Sequence, residues 1–101
     1  MGTSSFAVGT YGKNAARVTM SSTLRTSGNH TTTTTASNIQ VAAADITLAS
    51  GEIIEVYASV AMRIRFGGIA ATTTTGFYIP AAEKRWFECN DPGTVSIADV
   101  A

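Results

Sequence analysis

The sequence predicts an all-β protein, a small antiparallel β-sandwich or jelly-roll-like barrel with an extended N-terminal arm, and three observations carry that reading. Apolar residues recur with a period of two in several short stretches, the spacing of half-buried strands and not of helices. Turn-forming residues punctuate the chain about every ten positions, as in sandwiches and barrels and not in alternating βα units. Segments such as EIIEVYASV (52–60) are rich in β-branched and aromatic residues, which suit extended backbone. A chain of 101 residues makes one domain, with an arm over 1–14 and a sandwich over 15–101, and buries roughly 60 to 70% of its unfolded surface in one core.

In chain order, residues 1–14 mix Gly, Ser and Thr with Phe6, Val8 and Tyr11, the pattern of an arm with a few apolar anchors that gains order by docking. The stretch ARVTMSSTLRT, 16–26, sets Val18, Met20 and Ser22 against Arg17, Thr19 and Ser21, and reads as a strand. Thr31 to Thr35 form a polar loop, an edge strand or a seam between subunits, and are not expected in a core strand. Strand character returns in 38–50, with Ile39 and Val41 and then Ile46 and Leu48, although the AAAD run before Ile46 also fits a helical turn.

After the turn signal Ser50-Gly51, EIIEVYASV (52–60) is a strand whose paired isoleucines mark a bulge or two covered faces. AMRIRFGG follows with Met62, Ile64 and Phe66 on one face and Arg63 and Arg65 on the other, so 52–66 is one bent strand or a tight pair. Gly67-Gly68 serve a turn, and Thr72 to Thr75 a loop. The last strands are GFYIP, with Phe77 and Ile79 on one face, the charged-aromatic EKRWFEC, and TVSIADV with Val95 and Ile97 inward, the final two joined by the turn Asn90-Asp91-Pro92-Gly93.

Charge excludes several partners. Seven basic and seven acidic residues cancel, so no net field draws the chain to nucleic acid or an anionic membrane. Charged residues make up 14%, against about 25% in an ordinary soluble domain. A surface with so little repulsion fits one that neighbouring copies cover, and a homo-oligomer is expected. No stretch reaches the roughly 18 apolar residues of a membrane span. The N-terminal stretch lacks the basic start and apolar core of a signal peptide, so the protein is expected to be made and used without secretion machinery.

Catalytic chemistry finds little support. Cys89 is the only cysteine and reads as a buried thiol on a strand; His30, the only histidine, reads as a solvated loop residue. Asp45, Glu52, Glu55, Glu83, Glu88, Asp91 and Asp99 show no spacing that forces two of them together. Gly67-Gly68 lack the lysine and later glycine of a phosphate loop. Lys84, Arg85, Trp86 and Phe87 have the basic-aromatic interleaving of single-strand binders, but Glu83 and Glu88 cancel the local field. Tyr57, Tyr78 and Trp86 are candidates for a sugar-stacking platform. Neither a cofactor nor a metal is implied, and an enzyme is not expected.

From Met62 to Val100 the chain reads MRIRFGGIAATTTTGFYIPAAEKRWFE and then PGTVSIADV. This order of a strand with basic residues between apolar ones, a Gly-Gly turn, a Thr-rich loop, Gly-Phe-x-Ile-Pro, a small-residue-Glu turn, an aromatic strand and a closing Gly-Thr-Val strand resembles a module of small virion structural proteins of tailed bacteriophages. It departs from the usual form at Ala82, where glycine commonly precedes the glutamate. The resemblance implies a capsid cement or decoration protein, or a head-fibre component, that attaches to the major capsid protein or other virion proteins, with a trimer as one form. It places the protein on the capsid surface after synthesis in the host cytoplasm. The candidate interface residues are then Phe6, Val8, Tyr11, Tyr57, Tyr78 and Trp86, and the alternative is a carbohydrate- or receptor-binding module of a tail or head fibre.

Overall fold

Period-two alternation builds an all-β structure in the computed structural model, which describes residues 2–11 and 20–100. The strands among the described residues are β1 (Gly2–Tyr11), β2 (Met20–Thr32), β3 (Ser37–Asn38), β4 (Gln40–Val41), β5 (Ala44–Asp45), β6 (Thr47–Leu48), β7 (Ile53–Ala58), β8 (Met62–Arg65), β9 (Phe77–Ile79), β10 (Glu83–Glu88), β11 (Gly93–Thr94) and β12 (Ser96–Asp99). One four-stranded sheet has the order β10-β7-β1-β2 and the other β3-β12-β8-β9; β4 and β5 form a small hairpin, and β6 pairs with β11. All pairings are antiparallel.

The two sheets pack as a small sandwich around one apolar layer. Phe6, Val8, Ile54, Val56 and Ala58 come from the first sheet, Met62, Ile64, Ile79 and Ile97 from the second, and Ile39, Ile46, Leu48 and Val95 close the layer from the connecting segments. Each is a side chain of the inward parity of its strand or a short-loop residue beside it, so alternation converts directly into burial. At about 1.5 to 3 kcal/mol for each large apolar side chain removed from water, this layer is the main favourable contribution to folding.

Several expectations change once the strands are assembled. Residues 2–11 are not an arm: β1 is an inner strand, paired with β2 on one side and β7 on the other, and Phe6 and Val8 are core. The physical reason is parity, since Phe6 and Val8 are spaced by two and meet Gly28 and Val56, and Thr26 and Ile54, in register. Residues 12–14, like Val18 and the side chains of Tyr11 and Met20, lie outside what is described. The 52–66 segment is neither one bent strand nor a tight pair, because β7 and β8 belong to different sheets and residues 59–61 cross between them. Ile53 and Ile54 are both buried, which makes the double isoleucine a position covered on two faces.

The AAAD run is the tip of the β4–β5 hairpin, with Ala42 and Ala43 at φ 52° and 65°, and not a helical turn. Val41 lies in strand β4 and is exposed on that hairpin. Thr32 is fully buried and its hydroxyl donates to Asp99, so one residue of the first threonine run does enter the interior. His30 lies in β2, half-buried, with Nε2 2.9 Å from Ser37 Oγ. Burial lowers its pKa from the ordinary 6.5, partly opposed by Asp45. The Thr72–Thr75 run is a loop as expected, with the Thr72 hydroxyl accepting the N–H groups of Thr74 and Thr75.

One polar lock ties β2 to the loop before β7. Arg25 donates through Nε and Nη2 to the two oxygens of Glu52, at 2.6 and 3.1 Å, and through Nη2 to the Thr47 carbonyl at 2.6 Å. Ala49 N–H completes the carboxylate's partners at 2.8 Å. Burial pushes the Glu52 carboxyl up, but the Arg25 and Ala49 hydrogen bonds and the Arg25 charge outweigh it and hold it below its ordinary value.

Candidate functional site: an aromatic opening between two edge strands

Where β9 and β10 border the sandwich, three phenylalanines of inward parity meet at its open end. Phe66 follows β8, Phe77 begins β9 and Phe87 lies near the end of β10. Their ring centroids are 5.3 Å apart for Phe66 and Phe87, 5.6 Å for Phe77 and Phe87 and 6.1 Å for Phe66 and Phe77, all tilted, within the range that favours aromatic pairs. The sheets do not close over them. Phe77 remains 60% exposed and the neighbouring Ile69 50%.

Local sequence explains the opening. Gly67 and Gly68, at φ 76° and 77°, turn the chain sharply just after Phe66, a conformation open to glycine at no steric cost. Gly93 then packs on that turn. The Thr72–Thr75 loop borders the other side. Between these walls lies a cavity of about 390 Å³ lined by Arg65, Phe66, Ile69, Phe77 and Asp91, and a second of about 270 Å³ lies beyond the Phe66–Phe77 pair, reaching Trp86, Phe87 and Glu88. The lining mixes aromatic rings and Ile69 with polar groups, and Arg65 and Asp91 bring both signs of charge. Such a surface accepts apolar side chains or an extended segment of another protein and offers little to a small ionic substrate.

The residues singled out from sequence fall into separate groups. Phe6 and Val8 are core and present no surface. Tyr57 and Trp86 stand on the outer face of the first sheet on adjacent strands, opposite Lys84 and Glu55 respectively, and so are diagonal neighbours. They are 39% and 47% exposed, and Lys84 Nζ bridges to Glu55 at 3.3 Å between them. Tyr78 projects from the outer face of the second sheet, with the Arg63 guanidinium 5.3 Å from its ring centroid. A platform of all three aromatics therefore does not form.

The titratable groups hold the fold. Cys89, just after β10, is buried, and burial pushes its thiol above the ordinary value. Sheet order puts it at the β10 edge and His30 in β2 at the opposite edge, three strand spacings or at least about 14 Å apart, and the register sets His30 level with Glu83, so the two are too far apart for a nucleophile and its base. Glu83 pairs with Arg85, Glu55 with Lys84 and Glu52 with Arg25. Asp45 accepts from Gln40 and Asn38, whose hydrogen bonds lower its pKa. Among the described residues no three of His, Cys, Asp and Glu group as metal ligands, and no helix is long and apolar enough to cross a membrane.

Sequence reading missed the opening itself. Its signal was present: Phe66, Phe77 and Phe87 each have inward parity and each stands beside a strand end, two of them next to a glycine. Their convergence needs the topology that brings β8, β9 and β10 to one end. Comparison with known proteins gave no match to a family model, to a curated protein or to a solved structure.

Proposed function

We propose that this chain is a structural subunit of a tailed-bacteriophage virion, a decoration or cement protein that sits on the capsid surface as a homo-oligomer and stabilises the head shell by bridging capsid proteins. It acts by binding and performs no catalysis. The observation that supports this reading most is the aromatic opening, where Phe66, Phe77 and Ile69 present apolar surface beside a rim of balanced charge. A side chain or strand from the major capsid protein fits there, and many modest contacts of this kind, repeated under capsid symmetry, add up to tight attachment. The low overall charge and the Met62–Val100 resemblance point the same way.

The test uses shells assembled from the major capsid protein encoded nearest to this chain. The protein is expected to co-sediment with the shells, and Phe77→Asp to lose that retention while keeping the β-sheet circular dichroism of the parent. A parent chain that stays in the supernatant overturns the proposal.

A second reading has one observation of its own. Tyr57 and Trp86, exposed side by side on the outer sheet face, supply two stacking surfaces for a sugar, as a receptor-binding module of a fibre would. A glycan-array signal abolished by Trp86→Ala and untouched by Phe77→Asp favours it over the capsid reading.

A further inference from the structure

We infer that the aromatic opening is a two-seat cleft for an extended segment of another protein. The segment lays two large apolar side chains, two residues apart, into the adjoining cavities and sets a carboxylate against Arg65. This deepens the proposed function by stating the chemistry of what docks there. It rests on the capsid reading only for which protein carries the segment, and it is tested without capsids.

The shape of the opening suits side chains and not a whole small molecule. Small-molecule sites run from about 300 to 1,000 Å³ and enclose most of the ligand. Here the space is divided into cavities of about 390 and 270 Å³, and both Phe77 and Ile69 remain at least half exposed. Phe66, Phe77 and Asp91 line both cavities, so the two adjoin across one shared wall. Residues i and i+2 of an extended chain emerge on the same face about 6.6 to 6.8 Å apart, the arrangement that fills two neighbouring seats. The residue between them points away and stays in water.

Charge identifies the third contact. Arg25, Arg63, Lys84 and Arg85 are each engaged by a carboxylate or a carbonyl, and Asp45, Glu52, Glu55, Glu83, Glu88 and Asp99 each have a partner. Among the described residues, the charged side chains left without a hydrogen bond or ion pair are Arg65 and Asp91, and both line the first cavity. Each is seated over a glycine. A Cβ on Gly76 would stand 3.1 Å from Arg65 Cγ, and one on Gly67 would stand 3.0 Å from Asp91 Cβ. The chain thus holds two uncompensated charges of opposite sign beside aromatic walls.

A half-buried guanidinium takes a carboxylate in preference to water alone, since its paired N–H donors match the two carboxylate oxygens. Arg65 lines only the first cavity, whereas Asp91 stands at the wall between the two. Asp91 repels a carboxylate from that wall, so the acidic residue belongs at the Arg65 end. Parity then places it two positions from the nearer apolar residue, on the same face. The segment reads acidic-x-apolar-x-apolar in one chain direction or the other.

Trp86, the only tryptophan of the chain, lines the second cavity and reports its occupancy by fluorescence. The probes are two capped peptides, Ser-Glu-Ser-Phe-Ser-Phe-Ser and its reverse, Ser-Phe-Ser-Phe-Ser-Glu-Ser. At least one is expected to shift Trp86 emission saturably. Serine in place of either Phe is expected to weaken binding about tenfold, and Lys in place of Glu about fivefold or more. Arg65→Glu, checked for folding by circular dichroism, is expected to reverse the preference for Glu over Lys. Ile69→Ser, at an exposed position, is expected to weaken the better peptide about threefold or more. The Glu-against-Lys comparison on the parent chain decides the matter even if Arg65→Glu does not fold. No saturable shift with either peptide, equal binding of Glu and Lys peptides, or a folded Arg65→Glu that keeps the parent's preference overturns the inference. So does Trp86 emission that changes with protein concentration alone, the mark of a second copy in the cleft. Shell co-sedimentation is a separate measurement: shells retained without peptide binding sink this inference alone, and peptide binding without shell retention sinks the capsid reading alone.

Discussion

Ala82 sits at φ 60° in the turn between β9 and β10, the left-handed region that costs a residue with a Cβ about 1 to 2 kcal/mol. Ala82 is also where the Met62–Val100 segment departs from the phage-virion module it resembles, in which glycine commonly precedes the glutamate. Ala82→Gly is expected to raise stability by about 0.5 to 1 kcal/mol, the strain relieved less the added entropy of the unfolded glycine, measured by urea unfolding. His30 gives a second test at this scale. Its folded pKa lies below 6.5, so as pH falls through 6.5 the unfolded chain takes up the proton first and unfolding is favoured. Stability is expected to decline from pH 7 to pH 5, with His30→Gln flattening that decline. Glu52 and Asp45 do not confuse the reading, because their lowered values place their losses below pH 4.5.

Among the elements, the β4–β5 hairpin most clearly contradicts its own composition. Ala42 and Ala43 both adopt positive φ in a two-residue loop, the geometry of the turn that Asn-Gly forms best. Three alanines and an aspartate read locally as helix-compatible; pairing of Gln40 with Asp45, and the hydrogen bonds of Asp45 to Gln40 and Asn38, override that preference. The double change Ala42→Asn and Ala43→Gly is expected to add about 1 kcal/mol or more in thermal or urea melts, with no change in the sheet spectrum. β1 shows the converse case. Its Gly, Ser and Thr content resembles that of a disordered arm, yet two apolar residues at the correct spacing and two partner strands make it an inner strand.

For the whole molecule, the position of β1 has a measurable consequence. Phe6→Ala is expected to cost about 3 to 5 kcal/mol by emptying the centre of the core, whereas Tyr57→Ala on the outer face is expected to cost under about 1 kcal/mol; an arm outside the sandwich would make both changes mild. The Met62–Arg65 and Val95–Ile97 alternations, the Gly67-Gly68 turn and the burial of Cys89 were all legible in the chain, because parity and turn chemistry act between residues close in sequence. Which strands become neighbours was not. That β7 and β8 part into different sheets, that Phe66, Phe77 and Phe87 meet at one open end, and that Tyr78 turns away from Tyr57 and Trp86 all depend on contacts between distant segments. The sequence by itself determined the all-β class and the face on which most side chains lie, because alternation is a property of one strand. The tertiary structure decided the site, because an opening exists only where whole sheets end.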